Sequence, residues 1–295
     1  MRPVFICFSC FAICCASCAK DSIIHEDLII DGNVAPPVDG VSQITLNSYI
    51  NNLYIDLYGR AATESELSDN SEYLIDNSYS AGSREEIVEE MMLSWDYYKN
   101  LNVLTTQRYL VSLDSLSLKY QIDYWVYLID LYYDTGAEAE ALYYTIENDK
   151  LILLSSAHVE LFETNIFIAE YFKRFINNYY YDMVNMGSEN FVISCFQNLF
   201  HRYPTDDELL DGVAMVDGAS SQLFLQDGSS KNDFINIVVN SAEFYQGQVI
   251  DVFNMLLARA PDSAEMDMYG QEMADADHFN SVKVKILISE EYAGF

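Results

Sequence analysis

Apolar side chains recur at Leu46, Tyr49, Ile50, Leu53, Tyr54 and Leu57, with polar residues between them. This i, i+3, i+4, i+7 spacing predicts a helix that buries one face. The stretch that closes the run, Tyr54 to Leu67, returns twice without a gap, as Phe196 to Leu209 and as Phe253 to Met266. All three copies read aromatic-x-x-Leu-x-x-Arg-x-x-[Thr/Asp]-x-x-Glu-[Leu/Met]. The pattern predicts a helix, a tight turn and a second helix. Arg60, Arg202 and Arg259 are expected in the last turn of the first helix, where a cation meets the negative end of the helix dipole. Pro204 and Pro261 are expected to stop that helix, because proline lacks the N–H and disfavours the helical conformation of the residue before it. Ala62 takes the place of proline in the first copy and predicts a softer stop there. Thr63, Thr205 and Asp262 then head capping boxes with Glu66, Glu208 and Glu265, each cap taking an amide of the first turn while the glutamate reaches back to the cap's own amide.

A second signature follows each copy: Ser94 to Tyr97, Ser241 to Phe244 and Ser289 to Tyr292. Each is expected to end a third amphipathic helix. In the first unit that helix should be opened by a capping box at Ser83 to Glu86 and should bury Ile87, Met91 and Trp95. In the last unit Phe279, Val282 and Ile286 fill the same role. Because the motif arginine recurs together with a later acid, three pairs are expected: Arg60 with Asp96, Arg202 with Glu243, and Arg259 with Glu291. Residues 99–187 are helical without the motif, with candidates at 100–116, 118–134, 137–148 and 151–183. This segment is rich in tyrosine, and Tyr124, Trp125, Tyr127, Tyr132 and Tyr133 form a candidate partner face. Successive helical residues point in different directions, so the competing reading divides these rings between core and wet surface. Nothing alternates with a period of two, so almost no strand is expected.

The amino terminus departs from these helical patterns. Arg2 and the free amine precede an apolar run from Val4 to Ala16, which is too short to span a membrane. Small residues then lead into Cys18. The sequence Cys15-Ala16-Ser17-Cys18 resembles the lipobox of bacterial lipoproteins, with Cys15 where leucine is usual. That resemblance implies cleavage after residue 17 and acylation of Cys18. Lys20-Asp21 resembles the acidic surface-export signal of Bacteroidetes lipoproteins. Residues 18–41 are polar, contain Pro36-Pro37 and two Asp-Gly steps, and read as a flexible tether. The cysteines at 7, 10, 14 and 15 lie inside the apolar run and act there as small hydrophobes. Cys195, which shares a helical face with Phe191, Val192 and Leu199, is expected to be buried.

Charge narrows the partners. Of 295 residues, 46 are acidic and 15 basic, giving a net charge of −31. Such a chain cannot neutralise phosphate, which argues against nucleic acid and against electrostatic attachment to anionic lipid. An anchor must then be the acyl chains on Cys18. The acidic loop Asp227 to Asp233 fails the calcium-loop pattern, with Val238 where the bidentate glutamate belongs. No Gly-x-Ser-x-Gly elbow, glycine-rich phosphate loop, His-Glu-x-x-His or haem-attachment motif is present. His158-Val-Glu160 resembles a deaminase motif, but no Pro-Cys-x-x-Cys follows it. No catalytic, cofactor-binding or metal-ligating residue is nominated.

The repeated unit resembles a family of bacterial helical modules of unknown function that includes the phycobilisome-linker-like domains. The matching stretches are Tyr54 to Glu66 with Ser94 to Tyr97, Phe196 to Glu208 with Ser241 to Phe244, and Phe253 to Glu265 with Ser289 to Tyr292. The Gly-x-x-Trp usual after the turn is absent. The resemblance implies assembly or surface attachment rather than catalysis. The expected fold is all-α, a multi-helix bundle of three degenerate three-helix repeats (42–98, 188–247 and 248–295) around the central helical segment 99–187. The expected function is that of a lipid-anchored, non-enzymatic scaffold or interaction subunit at the bacterial outer membrane or cell surface. A glycan-binding module using exposed tyrosines and an envelope enzyme with carboxylate catalysis are the alternatives.

Overall fold

The computed structural model describes residues 40–111, 113–275 and 279–295. Cys18, the expected signal 1–17 and nearly all of the 18–41 tether lie outside the described residues. Helix α1 (Gln43–Tyr58) starts where the Ser42 hydroxyl accepts the Thr45 amide at 3.1 Å. It buries Leu46, Tyr49, Ile50, Leu53, Tyr54 and Leu57, the residues whose spacing predicted it. Helices α2 (Glu64–Asp76) and α3 (Ala81–Met92) complete the first unit. The second copy of the motif lies on α9 (Ser188–Phe200) and α10 (Asp206–Val216), followed by α11 (Lys231–Val239), and the third on α12 (Ala242–Leu257) and α13 (Ser263–Ala274), followed by α14 (Phe279–Leu287).

Three expectations about the motif are corrected. Helices α1, α9 and α12 end not at the proline position, Ala62 in the first copy, but at a left-handed residue three positions earlier: Gly59 (φ 70°), His201 (φ 58°) and Ala258 (φ 52°). This turn ends a helix in itself, so the first copy, which has no proline, stops no more softly than the others. The arginines sit one residue beyond it, outside the helix rather than in its last turn. Ser94, Ser241 and Ser289, finally, open helices as well as closing them. Their hydroxyls accept the amides of Tyr97, Phe244 and Tyr292 at 3.3, 3.1 and 3.2 Å and donate back to carbonyls of the preceding helix. They thereby start α4 (Trp95–Tyr109), α12 and α15 (Glu290–Ala293). Ser80, rather than Ser83, caps α3, and Trp95 is 42% exposed whereas Ile87 and Met91 are buried.

The central segment is a long hairpin, α5 (Ser115–Asp134) and α6 (Glu138–Phe162), followed by α7 (Ile168–Ile176) and α8 (Tyr179–Val184). Helix α6 runs through Asn148 to Lys150, where a boundary was expected, because Asn148 is buried and Lys150 pairs with Glu147 at 2.6 Å. The expected single helix 151–183 is interrupted twice. Thr164 turns left-handed (φ 58°), and the Asn165 amide donates to the Glu160 carbonyl at 2.8 Å. Asn178 then bridges α7 and α8. Its Oδ1 accepts the Tyr180 and Tyr181 amides, and its Nδ2 donates to the Arg174 and Phe175 carbonyls. Its side chain is thus fully paired, which makes its burial tolerable.

Among the described residues the strand content is one small antiparallel hairpin, β1 (Ser221–Leu223) with β2 (Gln226–Gly228), in the loop between α10 and α11. The buried side chains of all three units and of the central helices form one continuous apolar cluster. Cys195 lies within it beside Phe191, Val192 and Leu199. Burial pushes the Cys195 thiol up to about 12, which keeps it protonated and inert.

Candidate interaction surface

The motif arginines build three related clamps. Past the left-handed turn, Arg60 grips Glu66 with both terminal nitrogens at 2.7 and 2.8 Å. Arg202 grips Glu208 at 2.7 and 2.7 Å, and Arg259 grips Glu265 at 2.8 and 2.8 Å. Each glutamate also accepts the amide of its own cap residue, Thr63, Thr205 or Asp262, at 2.7–2.8 Å. Each guanidinium lies 4.9–5.2 Å from the ring centroid of the motif aromatic, Tyr54, Phe196 or Phe253. Hydrogen bonds from the arginine, with those from the cap, pull the carboxyls of Glu66, Glu208 and Glu265 down to about 2.

The second acid joins in two units. Glu243 receives Arg202 at 2.7 and 2.7 Å, and Glu291 receives Arg259 at 2.6 and 2.9 Å. In the first unit Asp96 acts on Arg60 only through space. Aspartate is one methylene shorter than glutamate, and no hydrogen bond or ion pair joins the two among the described residues. The clamp carboxylates are committed to arginine and to helix caps, so they fix turns. Among the described residues, no group of three His, Cys, Asp or Glu side chains is placed to hold a metal ion.

The tyrosine-rich face divides. Trp125 is corrected: it is buried, with its ring 5.0 Å from Tyr179 and 5.9 Å from Tyr144, and it anchors α5 to the body. Tyr132 is half-buried and stacks on Tyr144 at 5.5 Å. Tyr124, Tyr127 and Tyr133 are exposed. Two of these belong to a longer row. Leu116, Tyr120, Tyr124, Tyr127 and Leu131, at steps of four, four, three and four, are all exposed, and Tyr120 is 66% open. This spacing puts them on one side of α5, where such a row normally marks a buried face. Only Leu118 and Trp125 of α5 are buried, and its principal packing partner is α6. On α6, Leu142, Tyr143 and Ile146 are exposed as well. Reading the tyrosines as adjacent pairs concealed this row, and a search for helical spacing within α5 alone would have found it.

Among the described residues, no helix is long and apolar enough to cross a membrane. Comparison with protein-family models, curated proteins and solved structures gives no match to this chain.

Proposed function

We propose that this chain is a non-enzymatic scaffold subunit of the bacterial envelope, held to the membrane by acyl chains on Cys18, that docks a partner protein along α5. The observation that carries the reading is the exposed row Leu116, Tyr120, Tyr124, Tyr127, Leu131. Spanning about 22 Å of helix, it is an apolar stripe of the length that an amphipathic partner helix covers. Contiguous apolar surface on a soluble domain marks an interaction site. The leucines at both ends of the row and its placement on a convex helix favour a protein partner over a sugar, which rings lining a groove would stack. The strongly acidic surface supports attachment by lipid rather than by charge.

The test is affinity capture from membranes with Cys18 intact, comparing wild type with a Tyr124→Glu/Tyr127→Glu variant and following acylation by incorporation of labelled palmitate. The reading expects label on wild type and none on Cys18→Ala, and a partner protein retained by wild type and lost with the double variant at unchanged helicity. A partner that survives the double variant would refute the docking row. Retention of a polysaccharide instead of a protein would favour the glycan alternative.

A further inference from the structure

A cavity of about 220 Å³ lies where α1, α4, α12 and α14 meet. Its walls are largely apolar, with Leu104, Phe172, Val252, Met255 and Leu287 among them. Leu104 and Met255 are also exposed, so they stand at its mouth. Besides Thr105, whose hydroxyl donates to the Leu101 carbonyl, two polar side chains in the lining are nearly sealed from water: Gln248 of α12 is 2% exposed and Lys283 of α14 is 4% exposed.

Both are donors short of acceptors. The Gln248 amide nitrogen is buried with no hydrogen-bond partner. The Lys283 amine donates to the Tyr97 hydroxyl at 3.1 Å and lies 4.4 Å from the Phe279 ring centroid. The carboxylate that acts on it electrostatically, Asp251, is itself held by Arg108 at 2.5 Å and by His201 at 2.9 Å. Asp56, Arg108 and Asp251 also line the cavity, and they and the charged groups on the other packed helices are occupied. Arg84 of α3 binds Glu290 of α15, Glu272 of α13 binds Lys285, and Asp56 of α1 receives the Tyr292 hydroxyl. Burial pushes the Lys283 ammonium down to about 7. A buried donor left unpaired is costly, and a buried amine without a counter-ion more so.

From this geometry we infer that the cavity binds a small carboxylate with a short apolar body, its oxygens received by Lys283 and Gln248 and its hydrocarbon by the walls. The volume exceeds the ~150 Å³ of an apolar cavity that admits benzene, which suits a body of about six to ten carbons. Binding turns the buried amine into a paired ammonium and therefore takes up a proton. This site is independent of the α5 row and of the lipid anchor.

The experiment is isothermal titration of the purified full chain with octanoate and with 1-octanol at pH 8, each in two buffers of different ionisation enthalpy. Octanoate is expected to bind at least tenfold tighter than octanol, with uptake approaching one proton. Lys283→Met is expected to weaken octanoate at least tenfold, abolish the proton uptake and leave octanol unchanged, and Gln248→Leu to weaken octanoate about threefold. Thermal melting verifies that both variants fold, and Gln248→Leu keeps the test open should Lys283→Met not. Equal binding of the two ligands, binding of neither, or proton uptake that persists in Lys283→Met overturns the inference.

Discussion

The Tyr292 hydroxyl donates to Asp56 at 2.7 Å, joining residues 236 positions apart. Helix α15 is thereby fixed to α1, and Arg84 of α3 reinforces the join at Glu290, 2.6 Å away. Tyr49 of α1 meets the rings of both Tyr292 and Phe295 edge-on, at 6.0 and 5.5 Å. The last turn of the described chain thus completes the core of the first unit.

Removing the hydroxyl with Tyr292→Phe is expected to cost about 1 kcal/mol, measured by urea unfolding at pH 7, because a partly desolvated carboxylate loses its donor. Asp56 adds a pH signature. Burial raises its carboxyl above the ordinary range, despite the Tyr292 bond that opposes the shift. A carboxyl raised on folding favours the protonated native state, so its contribution is full at low pH and is lost as pH rises through the folded value. Asp56→Asn is therefore expected to melt higher than wild type at pH 7, and by less at pH 4. A lower melting temperature at pH 7 would contradict this account.

The clamp glutamates have the opposite sign. Glu208 is lowered from 4.5 to about 2, first by the Arg202 hydrogen bond. Its contribution is present above its unfolded value and is lost as pH falls from about 4.5 towards 2. Glu66 and Glu265 share the direction and its leading cause. Acid unfolding should consequently be steep in that window. Glu208→Gln is expected to flatten it and to cost about 1–2 kcal/mol at pH 7, since a helix cap and a forked ion pair are weakened together. Circular dichroism followed from pH 6 to pH 2 reads both effects.

The two-residue turn between β1 and β2 places Phe224 (φ 48°) and Leu225 (φ 62°) in the left-handed region. Turns of this kind favour Asn-Gly, because a branched side chain crowds the backbone there. Phe224 is retained by its packing on Phe196 and Phe200, at 6.1 and 5.8 Å. Leu225 is 90% exposed and has no such packing to offset the strain. Leu225→Gly is expected to stabilise the protein by about 1 kcal/mol, read from the urea midpoint. Phe224→Gly is expected to destabilise it, because the aromatic packing is lost.

Local chemistry was the legible part of the sequence. The α1 face and the three capping boxes follow from residues within a few positions of one another, and the structure places them as the spacing requires. Helix ends were harder to read. His201 and Ala258 take a left-handed turn that glycine makes cheaply, so no local signal marks them, and the prolines three residues on drew the boundary too far. In the central segment tertiary packing overrode the local break at Asn148 to Lys150, and it set others at Thr164 and Asn178. The cavity was illegible, since Tyr97, Gln248 and Lys283 come from three helices separated by up to 186 positions. Their neighbourhood exists only once α14 has packed against α4 and α12.

Gly247 provides the sharpest test of how the second and third units meet. It lies inside α12, where glycine ordinarily weakens a helix by about 1 kcal/mol relative to alanine. A Cβ added there would stand 1.8 Å from the Leu199 carbonyl oxygen and 2.9 Å from its carbon. Both obstacles are backbone, so no rotamer change relieves them, and α12 would have to move away from α9. That movement would also disturb Phe196, Leu199, Phe244 and Val249, which are all buried. Overpacking of a close helix crossing costs about 1–3 kcal/mol, and the directness of this clash puts Gly247→Ala at about 3 kcal/mol or more. The contrast is Gly82, in the first turn of α3, where an added Cβ meets nothing within 4 Å. Gly82→Ala is expected to be neutral or to stabilise by up to about 1 kcal/mol. Urea unfolding of the two variants in parallel should separate them widely, and equal midpoints would mean that α9 and α12 do not cross as closely as this geometry requires.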